Sequence, residues 1–109
     1  DMFDCVMPTR NGRNAMLFTT KGGINIDNKK WEQDFSPLDD GLDCEMSNYY
    51  TKSYLRHLMK AKEFLGYTIA SVHNLAFYLW LVGEARKQIQ QNNFNSWKAE
   101  MIPVLKTKL

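Results

Sequence analysis

The hydrophobic period of this chain changes once, near Asn48, and that change limits the folds open to it. Beyond it Tyr50, Tyr54, Leu55, Leu58, Ala61, Phe64 and Leu65 recur at helical spacing, with Gly66 as the expected stop. A second helix is expected over 71 to 91, where Leu75, Tyr78, Leu79, Leu81, Val82, Ala85 and Ile89 repeat the pattern and Ser71 or Asn74 caps the start. A short third helix is expected over 94 to 102, opened near Asn93 and stopped by Pro103. Before Asn48 the pattern is different. "AMLFTT" (15 to 20) and "INID" (24 to 27) flank "KGG" and read as a hairpin with Gly22 or Gly23 in the left-handed region. Residues 28 to 48 have weak periodicity, with turns expected at Ser36-Pro37 and Asp39-Asp40-Gly41.

The opening residues are the most unusual. Residues 2 to 7, Met-Phe-Asp-Cys-Val-Met, form an apolar run ended by Pro8. A run apolar on both alternating faces suggests a strand covered on both sides, as in a parallel sheet. Asp4 interrupts it. An unpaired buried carboxylate is costly, so such a residue is either tied down by hydrogen bonds or retained for chemistry. Cys5 has no histidine near it in sequence and reads as a small buried residue. "PTRNGRN" (8 to 14) reads as a loop.

Strand, loop, hairpin, irregular stretch and helices, in that order, describe one strand-to-helix step of an α/β fold. A small subdomain is inserted at the carboxyl end of the strand, the end where barrel folds carry active sites. A lone strand of parallel type has no neighbour to pair with, and the chain does not open on Met. It is therefore expected to be a piece of a longer protein.

Composition narrows the function classes. With 14 basic and 12 acidic side chains and a net charge of +2, overall charge does not drive nucleic-acid binding. Only a local basic cluster such as Arg10 and Arg13 would do so. Two cysteines far apart, Cys5 and Cys44, make no disulfide framework, and no secretory signal is visible, so a reducing cytoplasmic compartment is expected. The apolar run "LAFYLWLVG" is much shorter than a membrane span, and no membrane partner is expected.

The segments "DMFDCVMPTRNGRN", "FTTKGGINIDNKKWEQDFSPLD", "SYLRHLMKAKEFLG" and "ASVHNLAFYLWL", in that order, closely resemble the C-terminal part of the tRNA-guanine transglycosylases, the queuine tRNA-ribosyltransferases. The resemblance implies a TIM-type (β/α)8 barrel with an inserted β-hairpin and helix subdomain like the family's zinc-binding one. Residues 1–7 would be the last barrel strand, 8–70 the inserted RNA-contacting subdomain, and 71–109 the closing barrel helix with a C-terminal helix. The implied activity is pentosyl transfer in queuosine biosynthesis. The wobble guanine of G-U-N anticodons is exchanged for a 7-deazaguanine, queuine or its aminomethyl precursor, through a covalent ribosyl-aspartate.

On that resemblance Asp4 is the nucleophile, and Thr9, Arg10, Asn11, Gly12 and Arg13 read the anticodon loop. The second catalytic carboxylate and the base-binding groups would lie outside these residues, so the piece alone is expected to be inactive. A homodimer is also implied. The alternative reading is a non-catalytic RNA-binding or dimerisation module related to the family. The family's zinc pattern, Cys-x-Cys-x-x-Cys with a distant His, falls here on Leu42, Cys44, Ser47 and His73. Only Cys44 and His73 can ligate, so no closed zinc site is expected. Apolar packing through Trp31, Phe35, Leu42, Tyr49 and Tyr50 is expected to hold the subdomain instead.

Overall fold

A computed structural model describes residues 2–109. Its elements are α1 (Met7–Arg13), the strands β1 (Met16–Thr19) and β2 (Gly22–Asn25), α2 (Glu45–Tyr49), α3 (Lys52–Lys60), α4 (Phe64–Gln90) and α5 (Phe94–Lys106). A single 3-10 turn at Lys29–Trp31 lies between β2 and α2. The chain is thus helix-rich with one two-stranded antiparallel sheet.

The hairpin forms as expected. Met16 pairs with Asn25 and Thr19 with Gly22. Gly22 takes φ +142, a conformation that L side chains rarely adopt. The Thr19 side chain completes the tight turn: its hydroxyl donates to the Gly22 carbonyl at 2.7 Å and accepts from the Gly22 N–H at 3.1 Å. The C-terminal residues cover the free edge of β2. The Gly23 N–H donates to the Thr107 carbonyl at 2.8 Å, and the Leu109 N–H donates to the Gly23 carbonyl at 2.9 Å. A covered edge removes a template for unwanted strand pairing.

The helix boundaries depart from expectation for one physical reason. α3 ends at Ala61, not at Gly66. Lys62 takes φ +56, and the N–H groups of Lys62 and Glu63 donate to the carbonyls of Met59 and Leu58. That is a Schellman ending built without glycine. Gly66 instead lies buried inside α4 against Leu58. α4 therefore starts at Phe64, before Ser71 and Asn74, neither of which caps it. Its end repeats the device with Asn92 at φ +52. α5 runs through Pro103 rather than stopping at it, and Thr107 Oγ1 closes its last turn by donating to the Pro103 carbonyl at 3.0 Å.

The core joins the hairpin to α3 and the first half of α4 through Leu17, Ile24, Ile26, Leu38, Leu55, Leu58, Ile69 and Ala70. Of the five residues expected to hold the subdomain, Leu42 is buried and Trp31 and Tyr50 pack against the core. Phe35, in the irregular stretch ahead of α2, and Tyr49, the last residue of α2, are exposed.

By length and composition α4, with 27 residues, is long and apolar enough to cross a membrane. "LAFYLWLVG" alone understates that length, because the helix begins upstream at Phe64. Yet α4 is the element on which α1, β1, α2, α3 and α5 all rest. Two polar side chains, His73 and Asn74, are fully buried at its middle.

Candidate functional site

The opening segment differs from the expected buried strand. Residues 2–5 form no strand, and Met7 already belongs to α1; Asp1 lies outside the described residues. An extended segment needs a neighbouring edge for its N–H and C=O groups, and the described residues offer it none. Met2 is 94% exposed and Phe3 74% exposed, and Asp4 and Cys5 are exposed with them. Cys5 is thus not the buried residue its neighbours suggested; its Sγ accepts from the Met7 N–H at 3.3 Å. The cavities measured, of about 140, 380 and 200 Å³, are walled by residues other than Asp4, Arg10 and Arg13.

Residues 8–14, expected as a loop, are largely helix. Pro8 sits in the first turn of α1, where its missing N–H and fixed φ suit a helix start. Pro8 and Gly12, four apart, face α4 and are buried. A Cβ on Gly12 would stand 3.0 Å from the Ala70 backbone carbon, so glycine here permits helix-to-helix approach. That corrects the expectation that Gly12 brings backbone close to RNA. Arg10 and Arg13, three apart in the last turn, are exposed together on the opposite side. Neither guanidinium has a partner among the described residues. Asn11 and Thr9 are half-buried at the flanks, the Thr9 hydroxyl donating to the Val6 carbonyl at 3.3 Å.

What fixes this helix is Asn74, to which sequence reasoning gave only a capping role. Asn74 accepts from the Phe18 N–H at 3.1 Å and donates to the carbonyls of Pro8 and Met16, both at 2.9 Å. One amide thus ties the start of α1 and the outer edge of β1 to α4. His73, beside it, falls on a position of the family's zinc pattern. It lies well inside α4, with its ring nitrogens 2.8 Å from the Phe18 carbonyl and 2.7 Å from Ser47 Oγ. A carbonyl only accepts, so Nε2 carries the hydrogen and Nδ1 accepts from the serine hydroxyl. Burial lowers the His73 pKa below the ordinary 6.5, opposed by its bond to Phe18 and by the charge of Asp39. Asp39 in turn accepts from the Thr20 N–H, the Thr20 hydroxyl and the Gly41 N–H. The sequence signal was a polar pair, His73-Asn74, inside an apolar helix; buried polar groups need partners.

The zinc fit can be tested at the same place. Leu42 is buried hydrocarbon with no donor atom. The Ser47 hydroxyl and both ring nitrogens of His73 are engaged with one another and with Phe18. Cys44 contributes one thiol. Among the described residues no three His, Cys, Asp or Glu side chains are grouped to hold a metal ion. This donor set does not fit a tetrahedral structural zinc site.

These features define the class first: a segment in which an exposed acidic residue leads into a helix bearing two outward arginines, docked on a long central helix. Residues 1–106 match the family model described as queuine tRNA-ribosyltransferase. The queuine tRNA-ribosyltransferase of Aquifex aeolicus is 45% identical over 109 residues, covering 100% of this chain and 29% of the relative. Those of Syntrophobacter fumaroxidans and Francisella tularensis are each 47% identical, over 98 and 102 residues, or 90% and 94% of this chain. The chain belongs to the queuine tRNA-ribosyltransferase family. It spans under a third of the length of these relatives, 26% to 29%.

Proposed function

We propose that this chain supplies the catalytic end of a tRNA-guanine transglycosylase, with Asp4 as the nucleophile. The observation that carries the reading is the uninterrupted family match over residues 1–106, which takes in Asp4 and the whole of α1. In the proposed reaction a carboxylate oxygen of Asp4 bonds to the anomeric carbon of the wobble nucleoside. The carbon–nitrogen bond to guanine breaks, and guanine leaves with that electron pair and a proton. A 7-deazaguanine then attacks the same carbon through its ring nitrogen, loses its N–H proton and frees the carboxylate. A carboxylate suits this step because the centre is oxocarbenium-like, and a covalent intermediate divides one substitution into two easier ones. The donor of the first proton belongs to parts of the enzyme beyond these residues.

Arg10 and Arg13 would bind the anticodon loop. Planar guanidinium groups suit phosphate oxygens and base edges, and the bond from Asn74 to the Pro8 carbonyl docks the helix that carries them. A single-stranded loop lets the target base leave its stack at small cost. The barrel reading has its own support. α4 carries a second apolar stripe, Leu65, Val72, Leu75 and Leu79, on the side away from the core, and the opening segment is apolar and exposed. Both surfaces suit a helix and strand that the rest of a (β/α)8 barrel covers, the segment ahead of α1 as its last strand and α4 as its closing helix. A cytoplasmic homodimer belongs to the same proposal.

The test uses a chain of the relatives' full length, incubated with anticodon stem-loop RNA. The unmodified protein should form a covalent RNA adduct on denaturing gels. Asp4→Ala and Asp4→Asn should abolish it and lower base exchange by on the order of 10⁴-fold. An adduct that persists in both variants would remove Asp4 from the role and give it to another nucleophile, whereas no adduct with the unmodified protein would leave the RNA-binding module as the better reading.

A further inference from the structure

We infer that this chain closes its family's zinc corner with protein groups alone: the Ser47 hydroxyl takes the histidine nitrogen that a metal would use, and Leu42 fills the space of a second ligand. The orientation of His73 is the central observation. Its Nε2–H is fixed on the Phe18 carbonyl at 2.8 Å, which aims Nδ1 away from the hairpin toward α2. A backbone carbonyl behind one ring nitrogen is the usual support for a histidine that binds metal through the other. Here Nδ1 meets Ser47 Oγ at 2.7 Å instead, and both residues are fully buried.

The serine is itself held. Its backbone carbonyl accepts from the Leu38 N–H at 2.9 Å, which ties α2 to the segment ahead of it. Leu42, five residues earlier, is 3% exposed and presents carbon where coordination would need sulfur. Asn48 Nδ2 donates to the carbonyls of Leu42 and Cys44, at 2.9 and 3.1 Å, so the turn that would wrap a metal is closed by an amide. No buried side-chain nitrogen or oxygen among the described residues lacks a partner. A corner that has satisfied its polar groups offers a metal no orphaned donor and would have to break the Ser47–His73 bond to admit one. Cys44 is only partly buried and offers a single sulfur. A lone thiolate with one imidazole does not make the closed four-ligand site that gives structural zinc its affinity.

The consequence is that the subdomain folds without metal, unlike small domains whose folding free energy is their metal affinity. The experiment uses the intact protein, produced in zinc-supplemented medium and desalted. Elemental analysis should find less than about 0.1 zinc per chain, and a strong chelator should leave the melting temperature unchanged. About one zinc per chain, or a melting temperature that drops by several degrees on chelation, would overturn the inference. A second variant keeps the test open in the other direction. Leu42→Cys combined with Ser47→Cys restores four ligands, three cysteines and one histidine, at the four positions. It should bind about one cobalt ion with the intense thiolate charge-transfer band of a tetrahedral site, a band absent from the unaltered protein. The same band in the unaltered protein would contradict the substitution of hydroxyl for metal.

Discussion

The two halves of α4 are built on the same period and end in different surroundings. In the first half Gly66, Ile69, Ala70, His73, Asn74 and Phe77 are buried, and each meets something specific: α3, the hairpin, α1 or α2. Beyond Phe77 no residue of the helix is buried, and Leu79 is 75% exposed. α5, which leans on that second half, contains no buried residue either. In the first half the inward face is packed and its polar groups are paired, and the outer stripe of Leu65, Val72 and Leu75 is left exposed. The second half, together with the opening residues, has apolar surface of the kind that a larger assembly covers. In the proposed enzyme the chemistry would belong to the incomplete side, while the complete side holds α1 in place.

The sharpest attempt to break this contrast removes Asn74. Asn74→Ala leaves the Phe18 N–H and the carbonyls of Pro8 and Met16 without their partner, and should destabilise by roughly 2–4 kcal/mol in urea unfolding. A loss below about 0.5 kcal/mol would show that the complete half does not depend on its polar pairing. Gly12→Ala comes next. The new methyl would press on the Ala70 backbone and should cost about 1–3 kcal/mol. It should also lower RNA affinity by tilting α1, whereas Arg10→Ala and Arg13→Ala should lower affinity and its salt dependence with no change in stability.

The pH dependence is a smaller effect with a definite sign. His73 has a folded pKa below its ordinary 6.5, chiefly through burial. As pH falls through 6.5 the unfolded chain binds a proton that the folded chain refuses. Stability from this group is therefore complete above 6.5 and declines as pH drops toward the folded value, where the decline levels off. Urea midpoints measured across that range should show the slope, and His73→Gln should flatten it. An unchanged slope in the variant would shift the effect to another group. The smallest expected effect is Leu79→Ser, within about 0.5 kcal/mol for residues 1–109 alone and larger when they are joined to the rest of the enzyme.

Much of the fold was legible because apolar spacing governs packing. The hairpin follows from the apolar segments around "KGG", and helix over α3 and over most of α4 follows from the spacing of Leu55, Leu58, Leu75, Leu79 and Val82. The boundaries were hidden because left-handed helix ends fell on Lys62 and Asn92, while the glycine that looked like a stop, Gly66, serves close packing. α1 was hidden because "PTRNGR" is rich in turn formers; only its docking through Pro8 and Gly12 makes the helical state favourable. The role of Asn74 was invisible because its partners, Pro8, Met16 and Phe18, are far away in sequence. Asp4 stood out in the sequence through the apolar residues around it, yet it is exposed in the structure, because residues 2–5 pair with no strand among the described residues.

Amide hydrogen exchange tests the contrast most directly. It should be measured on residues 1–109 alone and within a chain of the relatives' full length. Amides of β1, β2 and the first half of α4 should be strongly protected in both, and those of residues 2–6 and of α4 beyond Phe77 should gain protection only in the longer chain. Equal protection of residues 2–6 in the two, or a hairpin that exchanges freely on its own, would contradict the account.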